Sequence, residues 1–211
     1  MALKATFEKR LSILIGRVNE FNMSKSSQYP DIDNNGLCRP KLLFVGALTN
    51  DTVFKVNNFS NGPGKFVASR SVRVSAGMAA SAASSASRLG GKASLWASVG
   101  GDVISKTLVS DMELEGIDCS LVRFVLEGRS ASATVIVDKK GERWVVVDYD
   151  PATQSDPDTD QLPNFSRFDA VMVDVRWPSA AKLALQALKS LGRPAILDAE
   201  VAPRPVLASL A

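Results

Sequence analysis

Lys41-Leu42-Leu43-Phe44-Val45-Gly46 is a short apolar run closed by glycine, the pattern of a strand buried on both faces of a parallel sheet. A folded domain begins there. Downstream the texture alternates, predicting strands over 52–56 and 66–74, a helix over 78–89, a strand over 93–98, a helix over 104–115 and a strand over 120–126. Strands over 133–138 and 143–149 follow, joined across Lys139-Lys140-Gly141, then a strand over 170–175, a helix over 179–191 and a strand over 195–198. This βαβ rhythm predicts an α/β fold, a doubly wound, mostly parallel sheet with helices on both faces. The two hairpin-like pairs, 52–74 and 133–149, have no helix between their strands and are assigned to a small antiparallel sheet beside it.

The whole chain has 211 residues, 45 % apolar and 22 % charged, enough for a sizeable core and unlike a disordered or disulfide-dense chain. Twenty-five Lys and Arg against 22 Asp and Glu leave +3, too weak and scattered for a nucleic-acid footprint. Nucleic acid is therefore not an expected partner. Histidine is absent, and Cys38 and Cys119 have no CxxC spacing, which excludes Ser-His-Asp triads, Cys-His pairs and the usual zinc sites. Chemistry must rest on carboxylates, amides, backbone N–H groups and bound cations, and a reducing cytoplasm is the natural compartment.

Ahead of the domain, Phe7, Leu11, Leu14, Ile15 and Val18 fall at helical spacing among Lys4, Lys9, Arg10 and Arg17. The apolar run is too short to span a membrane. Three readings stay open: an accessory helix, a targeting segment, or a start placed too early with Met23 as the true one. Residues 23–40, rich in Asn, Ser, Gly and Pro, read as a linker, which makes 1–40 an accessory helix and polar linker and 41–211 the domain. Residues 151–163, with three prolines, read as a polar connector. At the other end the chain stops at Ala211, a few residues into a predicted helix over 203–210 with no strand to receive it. A domain truncated at its carboxy-terminal side is the expectation.

Common nucleotide signatures are missing: Gly62-Pro63-Gly64-Lys65 lacks Walker spacing, and no GxGxxG follows a strand. Those four residues read first as a tight hairpin turn, second as a ligand-contacting loop. In 75–91, 14 of 17 residues are Ala, Ser or Gly, which suits either a helix packed closely on the sheet or a helix start at Gly77 whose N–H groups face a polar ligand. Asp51, Asp102, Asp174 and Asp198 fall near strand ends, where ligands gather in open α/β sheets, although each alone reads more simply as a cap or a solvated loop acid. Arg176 follows Asp174. It reads either as an ion-pair partner for that neighbourhood or as a planar fork for an anionic ligand.

The stretch Ala76-Gly77-Met78-Ala79-Ala80-Ser81-Ala82-Ala83 followed by Arg88-Leu89-Gly90 resembles the amino-terminal signature of the ribokinase or PfkB family of carbohydrate kinases. Val99-Gly100-Gly101-Asp102 with Leu114-Glu115-Gly116-Ile117-Asp118 resembles the family's next block, and 137–143 its lid hairpin. The resemblance covers Lys41 to Ala211. Within the family, Gly64-Lys65-Phe66-Val67-Ala68, Asp174-Val175-Arg176-Trp177 and 197–203 look most like the ketohexokinase and sulfofructose kinase branch.

That resemblance implies a Rossmann-like, ribokinase-like domain with a β-clasp lid formed by about 52–74 and 131–149, and transfer of the γ-phosphoryl group of ATP, with Mg²⁺, to a sugar hydroxyl. It also implies that Asp51 holds sugar hydroxyls, that Gly77 and Ser81 lie under the sugar, that Lys65 reaches it from the lid, and that Arg176 binds an anionic end. The implied partners are a small-molecule sugar and a second subunit paired through the lid, with no membrane. Ala76, Ser81 and Ser105 stand where the family pattern has Gly, Asn and Gly. The family's Gly-Ala-Gly-Asp block, which supplies the anion hole and the catalytic Asp, does not occur in these 211 residues, so no catalytic residue is assigned and neither ATP nor Mg²⁺ is expected to be held by this chain alone. A non-catalytic sugar-binding or regulatory module is the alternative.

Overall fold

The protein is described from a computed structural model covering residues 39–59, 62, 64–200 and 204–210. The helix expected within 1–22, and the linker over 23–40 apart from its last two residues, lie outside the described residues.

Five strands form the main sheet: β1 (Lys41–Gly46), β4 (Lys92–Gly100), β5 (Arg123–Val125), β8 (Ala170–Asp174) and β9 (Ala195–Asp198). All neighbours are parallel, in the order β5-β4-β1-β8-β9. Successive β1 side chains point to opposite faces, so one run of apolar residues feeds two cores. Phe44 joins Leu95, Ala97 and Val99 of β4 beneath helices α1 (Met78–Arg88) and α2 (Val103–Leu114). Leu43 and Val45 join Trp96, Val171 and Val173 beneath α3 (Pro178–Ser190). Alanine dominates the buried side of α1, at Ala79, Ala80 and Ala83, and lets its backbone lie close to the sheet. The closely packed helix expected over 78–89 is therefore present. A last helix, α4 (Arg204–Leu210), packs on α3 through Leu210.

The second sheet is the lid, with β2 (Thr49–Lys55), β3 (Arg70–Ala76), β6 (Ser132–Val137) and β7 (Arg143–Asp148) in the order β3-β2-β6-β7. Each expected pair is antiparallel, but β2 and β6 meet in parallel from Asn50↔Ser132 to Lys55↔Val137, so the lid is mixed rather than antiparallel throughout. The reason is directional: both hairpins leave the main sheet from its carboxyl edge and run outward side by side.

Two local expectations are corrected. Pairing of β2 with β3 ends at Lys55↔Arg70, so 56–69 is a long connection, not a tight turn at Gly62–Lys65. Phe66, expected in a strand, instead joins an aromatic cluster with Phe59 and Trp144, whose rings stack at 4.6 Å (Phe59–Trp144) and meet edge-on at 5.8 Å (Phe66–Trp144). The connector over 151–163 also carries order, with 3₁₀ turns at Pro151–Gln154 and Thr159–Gln161. Arg123 pins the connector, donating to the carbonyls of Asp156 (2.8 Å) and Ser155 (3.1 Å) while its guanidinium lies 4.7 Å over the Trp177 ring.

Candidate active site

At the carboxyl end of the main sheet, β1 and β8 finish beside the starts of α1 and α3, and Asp174 ties them together. The carboxylate is buried, and it accepts the amides of Ala47 (2.8 Å), Ala79 (3.0 Å) and Arg176 (2.8 Å). Burial pushes its pKa above the ordinary value in spite of those three donors. The strand-end position of Asp174 predicts a cap or a ligand-facing rim acid, and three engaged amides make it instead the structural knot of the site. Asp102 has a similar fate. It caps α2 through the Ser105 amide (3.2 Å) and latches the lid by accepting from the Ser130 amide (2.6 Å) and hydroxyl (2.8 Å).

Between the sheet edge and the lid opens a small cleft, continuous with solvent and lined by Ala47, Ser98, Tyr149, Thr153, Gln154 and Arg176, among others. Arg176 follows β8 directly, and its guanidinium lies 5.4 Å from the Tyr149 ring centroid. One of its terminal nitrogens, Nη2, donates to Glu200 Oε2, whereas Nε is buried without a partner. The hydroxyl of Ser179, in the first turn of α3, is likewise buried and unpartnered. Burial raises the Tyr149 pKa, and the charges of Arg176, Asp174, Glu200 and Asp51 all reach its phenol. Those five residues therefore share one electrostatic neighbourhood.

Asp51 enters that neighbourhood from the lid rather than from the end of β1. It lies within β2, where Thr49 Oγ1 donates to it at 2.7 Å and burial raises its pKa. Gly77 precedes α1 with φ +110°, and a Cβ there would stand 2.3 Å from the Ala47 carbonyl oxygen, which itself accepts the Ala80 amide at 3.2 Å. Only glycine lets α1 start this close to the β1–β2 connection. Ser81 is exposed on α1, and Lys65 is exposed in the 56–69 connection. Neither of those two lines the cleft.

Local pattern singled out neither Tyr149 nor the connector residues Thr153 and Gln154, because they reach the cleft only through the Arg123 clamp and the end of β7. Trp177 was legible as part of Asp174-Val175-Arg176-Trp177. It is buried, donates Nε1–H to the Ser155 carbonyl (2.9 Å) and packs on Trp96. Burial and the nearby Glu113 and Asp118 push the Cys119 thiol up to about 12, which removes it as a thiolate nucleophile at neutral pH. Among the described residues no three acidic, histidine or cysteine side chains are grouped to hold a metal. None of the described helices is long and apolar enough to cross a membrane.

A parallel sheet between helices, a strand-built lid and a polar cleft at the carboxyl strand ends define a ligand-binding α/β domain of the ribokinase-like class. The chain belongs to the pfkB family of carbohydrate kinases, whose profile matches residues 39–211. It is similar to a protein from Agrobacterium tumefaciens assigned provisionally as a ribokinase, at 40 % identity and a TM-score of 0.77 over 82 % of this chain and 56 % of that one. An Arabidopsis thaliana ribokinase complexed with ribose and ATP matches at 19 % identity and a TM-score of 0.65, over 82 % of this chain and 58 % of its own. A Halothermothrix orenii fructokinase matches at 16 % and 0.61, over 74 % and 56 %. The last two establish the fold alone. This chain spans little more than half the length of these solved structures.

Proposed function

We propose that the chain forms the sugar cleft and lid of an ATP-dependent carbohydrate kinase whose substrate is a ketose carrying an anionic group. The observation that carries this reading is Arg176, whose guanidinium lines the cleft over the Tyr149 ring with Nε buried and unpartnered. An orphaned buried donor is costly, and a sulfonate, phosphate or carboxylate oxygen is the partner that best matches a guanidinium fork. Asp51 accepts sugar hydroxyls from the lid side and Gly77 gives the close approach under the sugar, whereas Ser81 and Lys65, exposed and outside the cleft lining, are left without a role in this reading. On this reading the chain is allied with the ketohexokinase and sulfofructose kinase branch of the family, which Asp174-Val175-Arg176-Trp177 supports. The ATP of the Arabidopsis structure supports ATP as the phosphoryl donor. A cytoplasmic setting, and 1–40 as an accessory segment ahead of the domain, complete the reading.

Arg176→Ala tests it. A charged hydrogen bond contributes roughly 1.5–3 kcal/mol, so the variant is expected to weaken a sulfonated ketose by about 10- to 150-fold and to leave fructose nearly unchanged. Calorimetric titration of both sugars against both proteins decides the matter. Equal losses for the two sugars would make Arg176 structural and the anionic reading wrong.

The alternative is a non-catalytic sugar-binding or regulatory module. The two readings share the cleft and differ only in the ATP side.

The lid also supplies a surface for a second copy. β7 is a sheet edge with every residue exposed, including Trp144 and the run Val145-Val146-Val147, Val146 at 69 %. An apolar edge of this kind pairs readily. Val146→Lys is expected to convert a dimer to a monomer in sedimentation at micromolar concentration. A wild-type chain that sediments as a monomer would remove the lid-paired dimer.

A further inference from the structure

We propose that Glu200 is a built-in occupant of the Arg176 fork, a specificity residue that an anionic sugar must displace. The inference rests on the anionic reading of Arg176 and adds to it a competitor within the same chain.

Three observations carry it. First, Arg176 has anchors besides Glu200. Arg176 directly follows β8, its amide is held by Asp174 Oδ1 at 2.8 Å, and its guanidinium lies over the Tyr149 ring. Second, Glu200 is the more exposed partner: it lies two residues beyond the edge strand β9, with a side chain 49 % exposed against 23 % for Arg176. Third, the pairing is incomplete. Glu200 takes Nη2 only, and Nε stays buried and unpartnered. In a guanidinium, Nε–H and one Nη2–H point to the same side, so an anion with several oxygens on one centre can engage both. A tetrahedral sulfonate or phosphate satisfies the donor that Glu200 leaves open, and this difference lets it win the fork.

The arrangement has a consequence for selection. A neutral ketose binds without disturbing the Arg176–Glu200 pair, whereas an anionic ketose must break it and gains the complete fork in return. Glu200 thereby keeps the arginine from standing unpaired in the cleft and raises the threshold for weakly coordinating anions.

The test uses the 211-residue chain and four proteins: wild type, Glu200→Gln, Arg176→Ala and the double variant. Each is titrated with fructose and with the same sugar bearing a terminal sulfonate. Partly exposed ion pairs are weak, so Glu200→Gln is expected to tighten the sulfonated sugar by about 3- to 10-fold and leave fructose unchanged. The gain should vanish in the Arg176→Ala background. If it survives there, Glu200 acts by general repulsion and not by holding the fork, and the inference fails. Unchanged or weaker binding in Glu200→Gln overturns it as well. If wild type prefers the sulfonated sugar through Arg176 while Glu200→Gln changes nothing, Glu200 is an incidental neighbour and the anionic reading stands. No preference in any of the four proteins removes both.

Discussion

Supplied with ATP, Mg²⁺ and a panel of ketoses, the purified 211-residue chain is expected to release no ADP above the uncatalysed background. Phosphoryl transfer relies on positioning and on donors aimed at the charge that develops in the transition state. Loss of a single donor of that kind costs ~10²–10³ in rate. Here the entire Gly-Ala-Gly-Asp block is missing, and with it the implied base. Asp174 is engaged by three amides and Asp102 by Ser105 and Ser130, so neither is free to replace it. Asp51 stands in the lid with Thr49 on its carboxylate. A coupled assay following ADP checks the expectation, and release that saturates with a ketose would show that this chain assembles a catalytic centre from other residues.

The second large effect is structural. Gly46→Ala is expected to abolish cooperative unfolding, because a Cβ there would stand 2.1 Å from Asp174 Oδ1 and 2.3 Å from Oδ2. Gly46 also holds φ +142°, which an L side chain rarely adopts. The carboxylate has nowhere inexpensive to go. Moving it strands the amides of Ala47, Ala79 and Arg176, at about 1–3 kcal/mol for each buried donor left unsatisfied, and the sum approaches the whole stability of a domain this size. Urea titration followed by tryptophan fluorescence reads the loss directly. The double variant Gly46→Ala with Asp174→Ala removes the clash and should fall well short of the two single losses added together. A Gly46→Ala midpoint close to wild type would mean that Asp174 does not bind the strand ends together as described.

Much of the architecture was legible along the chain. Alternation of apolar runs with helical periodicity located the strands and helices of the main sheet, because each local pattern records which face an element buries. The helix at Met78–Arg88 could be read from its small residues, and β1 from six residues alone. The lid was recognisable as two hairpins. Their parallel seam was not, because the register of β2 against β6 joins residues about eighty positions apart and leaves no local signature.

The site divides along the same line. Arg176 and Gly77 could be named from sequence, since a motif and a glycine-led helix start mark them in their own neighbourhoods. What each residue does was decided by contacts between distant segments. Asp174, read as one of several rim acids, becomes a knot because Ala47 and Ala79, 127 and 95 residues away, present their amides to it. Asp102 becomes a latch because the chain returns at Ser130. Thr153 and Gln154 reach the cleft because Arg123 holds their connector, and Glu200 meets Arg176 because β9 lies beside β8 in the same direction. Local apolar pattern along the chain dictates which segments bury a face, and so the fold class. Which polar groups remain free for a ligand is set by contacts between distant segments, because a donor or acceptor is taken or left open by partners that sequence separation does not reveal.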